Sequence, residues 1–248
     1  MQHDHIVFQL ATHYLPKISL RLESLFLAVE QACHEVHPII HHYALKNIIE
    51  IIKLIEKPEL KSRYIKELMR LEHVLNKSQG GVSNTVYANL FVQVQVLSHI
   101  AGRFGETIHQ DTFLQAIRLA GSSHQNDCEA HAPQLLLWLE HDASHRQLDL
   151  ATWLKQLQAL FDTVRDYLSL IRSTAQFETI DMFNGFYQRS LPSPSSCHLI
   201  LLKMDTHCGL VPKMQIGHHG LSLRLCDAHS MQEVQHANTM VDLAICQL

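Results

Sequence analysis

The chain has 248 residues, 46% of them hydrophobic, with 20 Lys and Arg against 24 Asp and Glu, a formal net charge of −4. This apolar content is ample for a core in one large domain or two intimate smaller ones. The small acidic excess gives no global pull on nucleic acid or an anionic membrane, so recognition of an acidic partner would need cations gathered by folding.

Residues 5–10, HIVFQL, place Ile6, Phe8 and Leu10 on one side of a short strand. Pro16 then opens a helix whose stripe is Leu22, Leu25, Phe26, Val29 and Cys33. A second helix begins at Pro38, carries Ile48, Ile51, Ile52 and Ile55, and stops at Lys57-Pro58, because a proline restricts the residue before it and lacks the backbone donor. Leu60, Tyr64, Leu68, Leu71 and Leu75 mark a third, ended by SQGG; Tyr87, Leu90, Phe91, Val94, Leu97 and Ile100 mark a fourth. A short helix through Phe113, Leu114 and Ile117 leads into GSSHQNDCEAH (121–131), which reads as an exposed loop, and PQLLLWLEH as a brief buried helix. Leu150, Trp153, Leu157, Leu160, Val164, Tyr167 and Ile171 step by three and four, predicting one long central helix.

Past Ala175 the period changes to two. In GLSLRLC (220–226) Leu221, Leu223 and Leu225 oppose Ser222, Arg224 and Cys226; in MVDLAIC (240–246) Val241, Leu243 and Ile245 oppose Asp242, Ala244 and Cys246. GHHG (217–220) reads as the turn joining PKMQI to LSLRL, and SLPSPSS (190–196) as a loop. A few strands with one apolar face need a partner layer. The expected fold class is therefore α+β: a helical-bundle domain over 13–178, and a small antiparallel β-domain from 1–12 and 179–248 that recruits the N-terminal strand.

Familiar catalytic signatures are absent: the chain has no G-x-S-x-G, no G-x-x-x-x-G-K-[ST] and no G-x-G-x-x-G. The 20 histidines invite a metal reading, as in Cys33, His34, His37 and His41, but Pro38 divides that series between two helices, and tight paired ligand spacings are missing. A His/Cys metal-dependent enzyme stands as the alternative from another class, and a helical adaptor as a third. The six cysteines include no C-x-x-C pair and read as reduced thiols. No apolar run approaches the roughly 18 residues of a membrane span, and MQHDHIVFQL lacks a secretory pattern, so a cytoplasmic protein is expected. Two arginines stand out. Arg21 in SLRLESLF is an ordinary exposed or ion-paired arginine, or a binding residue; Arg224 sits mid-strand, where a sheet can present its fork to a carboxylate, with a cross-strand pair to Asp242 as the rival.

SLRLESLF (19–26) just after a short strand and FNGFYQ (183–188) just after a long helix resemble the ZapD family of bacterial cell-division proteins, with a fainter likeness in GHHGLSLRL (217–225). The resemblance implies a non-catalytic protein without cofactor or metal. It implies binding of the acidic and apolar C-terminal tail of FtsZ, bundling of FtsZ filaments as a homodimer, and stabilisation of the Z-ring at mid-cell. By position Arg21 matches the family's LRLE arginine, Lys17 a further basic residue and Arg224 the strand arginine; Arg118, His218 and His219 join them as weaker candidates. The expected tail site is a cleft between the β unit and the helices. Ala11-Thr12-His13-Tyr14 replaces the family's usual Pro-Leu-Asn-Glu, and the second basic residue expected just before the Arg224 strand is missing. Asn184-Gly185 is expected to turn the chain out of the last helix through positive φ, with Phe183, Phe186 and Tyr187 anchoring the sheet.

Overall fold

The computed structural model describes residues 5–77, 84–122, 132–191, 196–218, 220–235 and 238–248. Among them are eight α-helices and seven β-strands, an α+β protein. The chain divides into two compact units, residues 19–167 and residues 1–18 with 168–248.

In the first unit, α1 (Tyr14–Ala32) runs in from the other unit and is followed by α2 (Pro38–Ile55), α3 (Glu59–Lys77), α4 (Asn84–His99), α5 (Thr112–Ser122), α6 (Pro133–Glu140) and α7 (Ala143–Gln156). α8 (Gln158–Ser173) leaves it again. Local chemistry sets the ends. His37 caps α2, its Nδ1 accepting from the Ile39 N–H at 3.2 Å, with Pro38 in the first turn, where its missing donor costs nothing. α3 carries Glu59 in its first turn and Lys77 in its last, matching the helix dipole. The isoleucine stripe of α2 is buried throughout, as are Leu60, Tyr64, Leu68, Leu71 and Leu75 of α3. Phe26 and Phe161 meet at 4.9 Å between ring centres, and the Tyr64 hydroxyl is 2.7 Å from the Ser19 hydroxyl, both residues fully buried.

The long central helix read from the sequence is two helices. Leu157, at φ −99° and ψ 4°, lies between α7 and α8, and its N–H is shared among carbonyls of the preceding turn. The apolar stripe nevertheless carries across the break, with Leu150, Trp153, Leu157, Leu160, Val164, Tyr167 and Ile171 all buried. Tyr87 falls where side chains are outside the described residues, as does most of the loop 121–131.

The second unit holds two antiparallel sheets. Strands β1 (His5–Ala11), β4 (Cys197–Asp205), β7 (Thr239–Gln247) and β2 (Glu178–Met182) lie in the order β1-β4-β7-β2. Strands β3 (Phe186–Arg189), β6 (Gly220–Asp227) and β5 (Leu210–Gly217) lie in the order β3-β6-β5. Their inner faces share one core, with Ile180, Ile200, Leu202 and Leu243 from the first sheet and Leu221, Leu223 and Leu225 from the second. The N-terminal strand is part of this unit, paired with β4 from His5↔Asp205 to Ala11↔Leu199. Pro212 sits on β5, an edge strand, where its lack of an N–H is tolerated.

Two expectations change here. Asn184-Gly185 does adopt positive φ, 50° and 68°, but the turn joins β2 to β3 rather than helix to sheet, closed by hydrogen bonds between Phe183 and Phe186 at 2.9 and 3.0 Å. Phe183 is 73% exposed and anchors nothing, whereas Tyr187 packs against the core of the two sheets.

Candidate peptide-binding surfaces

α2 turns Ile48, Ile49, Ile51, Ile52 and Ile55 inward and leaves His42, Lys46, Glu50 and Lys53 along an outer strip, spaced by three and four residues. With Leu45, Ile49, Ile117, Leu135 and Arg118, these residues line a groove of about 290 Å³ in the helical unit. Arg118 reaches it from α5 and bonds Glu56 at 3.2 Å; Arg21 reaches its rim from α1, bonding Glu50 at 2.7 Å with 60% of its side chain exposed. Arg21 and Arg118 pair with Glu50 and Glu56, and Lys46 and Lys53 form no ion pair among the described residues. Two positive charges are left over beside an apolar floor, on a chain that is acidic overall.

The β unit carries a second cationic feature. Arg224 lies on the outer face of the three-stranded sheet, directly opposite Phe186 on one side and Lys213 on the other. Its guanidinium lies 5.0 Å from the centre of the Phe186 ring and donates from Nη1 to the Glu233 carboxylate at 2.8 Å, with 49% of the side chain exposed. The rival pairing with Asp242 does not form. Asp242 belongs to the other sheet, where it accepts from the Thr179 hydroxyl at 2.9 Å. Glu233 is delivered by the chain that returns from β6: Asp227 Oδ1 accepts from the N–H groups of His229 and Ser230 at 3.1 and 2.8 Å and from the Ser230 hydroxyl at 2.9 Å.

These hydrogen bonds hold the Asp227 carboxyl below its ordinary value, the Ser230 bonds contributing most. A depressed folded value means the stabilisation is present above the ordinary carboxylate range and is lost as pH falls through the lower value. Amide exchange at His229 and Ser230 should therefore accelerate, beyond the intrinsic pH trend, at the acid end of that range. Asp227→Asn should abolish the pH dependence, and a dependence that survives the substitution would refute this account.

The remaining sequence candidates are dispersed. Lys17 lies on the part of α1 that belongs to the β unit, exposed, and its ammonium has no partner among the described residues. His218 sits at the exposed tip of the β5–β6 hairpin, lining a hollow of about 730 Å³ with Thr12, Gln188, Arg189 and Ile216. Four residue steps along β6 lead from Gly220 at that tip to Arg224, roughly 13 Å at the usual strand rise. His219 lies outside the described residues. Arg21 and Arg118 thus belong to the helical unit, and Lys17, His218 and Arg224 to the β unit.

Three binding-type cations were not singled out from the sequence: Lys46, Lys53 and Lys213. The helical spacing of His42, Lys46 and Lys53 carried a signal for the first two. For the third, the pairing of Gly217 with Gly220 sets the register that places Lys213 opposite Arg224.

His41 is fully buried: its Nε2 lies 2.9 Å from the Glu35 carbonyl and 3.1 Å from that of Ala32, while Nδ1 accepts from Arg146 Nε at 2.8 Å. Its proton is thereby assigned to Nε2. Among the described residues no group of three or more His, Cys, Asp or Glu side chains gathers as a metal would require. No described helix is long and apolar enough to cross a membrane.

The helical unit thus carries an apolar groove with a cationic rim, and the β unit an arginine-bearing sheet face. Residues 20–224 match the ZapD family, described as a cell division protein, and the chain belongs to that family. It is 28% identical over 218 residues to the cell division protein ZapD of Coxiella burnetii strain RSA 331, covering 84% of this chain and 83% of the relative. The ZapD of Azoarcus strain BH72 is 24% identical over 92% of this chain and 94% of its own length. That of Vibrio cholerae strain O395 is 25% identical over 93% and 94% respectively. The chain is thus a cell-division protein by family, and this family is not a known class of enzyme.

Proposed function

We propose that this protein binds the C-terminal tail of FtsZ and, as a homodimer, bundles FtsZ filaments and stabilises the Z-ring at mid-cell, with no catalytic step. The groove on α2 carries the reading, because an acidic and apolar tail matches its composition: Leu45, Ile49, Ile117 and Leu135 would take apolar side chains while Arg118, Arg21, Lys46 and Lys53 meet carboxylates. Arg224 offers a further contact on the β unit, with Lys17, His218 and His219 as weaker ones. Two-fold symmetry would present two tail sites, and many tails along a filament would convert weak single contacts into tight bundling through effective concentration.

The test is sedimentation of FtsZ filaments with this protein, comparing full-length FtsZ with a form lacking its tail. Bundling should require the tail and weaken as salt rises, since the cations are exposed; equal bundling of both forms rules out tail capture. The double reversal Arg21→Glu and Arg118→Glu should weaken binding of the isolated tail peptide by about tenfold or more, by placing four carboxylates where two stood. Retained dimer with unchanged tail affinity would point instead to an adaptor for another partner.

A further inference from the structure

We infer that Lys213 and Arg224 form a two-cation carboxylate clamp on the β unit, that Glu233 occupies this clamp in the free protein, and that an acidic side chain of a bound peptide enters by replacing Glu233. This rests on the acidic-peptide reading above and adds to it a binding residue, Lys213, and a resident competitor.

Register creates the clamp. Lys213 and Arg224 are directly opposite on β5 and β6, so their side chains leave the same sheet face with Cβ atoms about 5 Å apart. Two like charges at that spacing repel unless an anion lies between them. Glu233 fills this role, one oxygen 2.8 Å from Arg224 Nη1 and the other 3.7 Å from Lys213 Nζ. The third neighbour in the row, Phe186, supports the guanidinium from below. One carboxylate between two cations leaves the site net positive, and the three side chains are 40 to 51% exposed, so a ligand can reach it.

Glu233 can vacate the clamp without unravelling the chain that carries it. Its backbone segment is fixed independently, by the Val234 N–H to the Leu225 carbonyl at 2.9 Å and the Asp227 N–H to the Gln232 carbonyl at 3.0 Å. Only side-chain torsions of Glu233 need to change. An incoming carboxylate then meets the same two donors, and the released Glu233 returns to water. The bound geometry of Glu233 is thus a template for the ligand, and its removal should strengthen binding rather than weaken it.

The experiment titrates two labelled peptides at low salt, the FtsZ tail and a glutamate-rich peptide of equal length, against wild type, Glu233→Gln, Lys213→Ala, Arg224→Ala and the Arg224→Ala, Glu233→Gln double variant. Glu233→Gln should bind about three- to tenfold more tightly, Lys213→Ala more weakly, and the Glu233→Gln gain should vanish in the Arg224→Ala background. Unchanged or weaker binding by Glu233→Gln overturns the clamp, as does an equal gain with and without Arg224, which would report general charge alone. If neither wild type nor Glu233→Gln takes the tail, the proposed function fails; the glutamate-rich peptide still decides the clamp, an Arg224-dependent gain upholding it and no gain refuting it.

Discussion

Replacing Arg146 by Ala should unfold the helical unit at markedly lower urea, with a loss of about 3–5 kcal/mol, as expected when a buried charged hydrogen-bonding group is removed and its partners are stranded. Arg146, on α7, is only 3% exposed, and its guanidinium meets no carboxylate among the described residues. It is solvated instead by the protein. Nε donates to His41 Nδ1 at 2.8 Å, Nη1 to the carbonyls of Leu139 (2.8 Å) and His141, and Nη2 to the carbonyl of Val36 at 3.0 Å. One side chain therefore closes the C-terminal end of α6, the link between α1 and α2, and the buried imidazole of α2. Truncation would leave three carbonyls and one ring nitrogen without this donor and open a cavity among them. Lysine keeps the charge but not the planar fork, so Arg146→Lys should recover only part of the loss. Trp138 and Trp153 both lie in this unit, so their fluorescence reports its unfolding directly. A urea midpoint for Arg146→Ala within the equivalent of about 1 kcal/mol of wild type would refute the account.

The buried arginine was not legible in the sequence, and the reason is physical. Arg146 sits in HDASHRQLDL with Asp142 and Asp149 at helical spacings that suggest an ordinary surface ion pair, whereas its partners are the His41 ring and the Val36 carbonyl, more than a hundred positions away, and carbonyls at the end of another helix. Composition and periodicity describe side chains, not the distant carbonyls that a fold brings together. The same limit explains the missed partner of Arg224. Alternation placed it on the polar face, where it is, but Glu233 arrives from the irregular segment after β6.

Legibility elsewhere followed the number of faces an element buries. α3 buries one face, and its stripe was readable residue by residue, while the stripe of α2 was readable at Ile48, Ile51, Ile52 and Ile55 but not at His41, Ala44, Leu45 and Ile49. β6 has one apolar face and read as a strand. β4 is a central strand buried on both faces from Cys197 to Leu202, so CHLILLKMD shows no alternation and gave no clear strand signal. The break at Leu157 left the apolar period undisturbed, which is why seven buried residues in step looked like one helix. For the candidate site, the arginines could be named but their companions required register: once Gly217 pairs with Gly220, every β5–β6 pair follows, Lys213 with Arg224 among them.

Gly185→Ala should destabilise the β unit by about 3–4 kcal/mol, combining backbone strain with the loss of close main-chain contacts. Gly185 has φ +68°, in the left-handed region where an L side chain is strained, and a Cβ there would stand 2.1 Å from the Val234 carbonyl oxygen. That oxygen cannot swing aside like a flexible side chain, because the Val234 N–H is bonded to the Leu225 carbonyl at 2.9 Å, while the Leu225 N–H donates to Gly185 itself at 2.8 Å. An added methyl must therefore push the returning segment away from β6 and break this small ladder, while Asn184, already at φ 50°, has its N–H held by Asn238 Oδ1 at 3.1 Å and offers no slack. The displaced segment is the one that carries Glu233, so the clamp would lose its resident carboxylate by movement rather than by chemistry. Hydrogen exchange should register the effect as lost protection at the Leu225 and Val234 amides, with the tryptophan-monitored transition of the helical unit much less affected. Asn184→Ala, which leaves Gly185 in place, should cost far less, about 1 kcal/mol, because only one strained residue changes. Protection at Leu225 and Val234 equal to wild type in Gly185→Ala would mean that close approach of the two backbones does not organise this corner of the sheet.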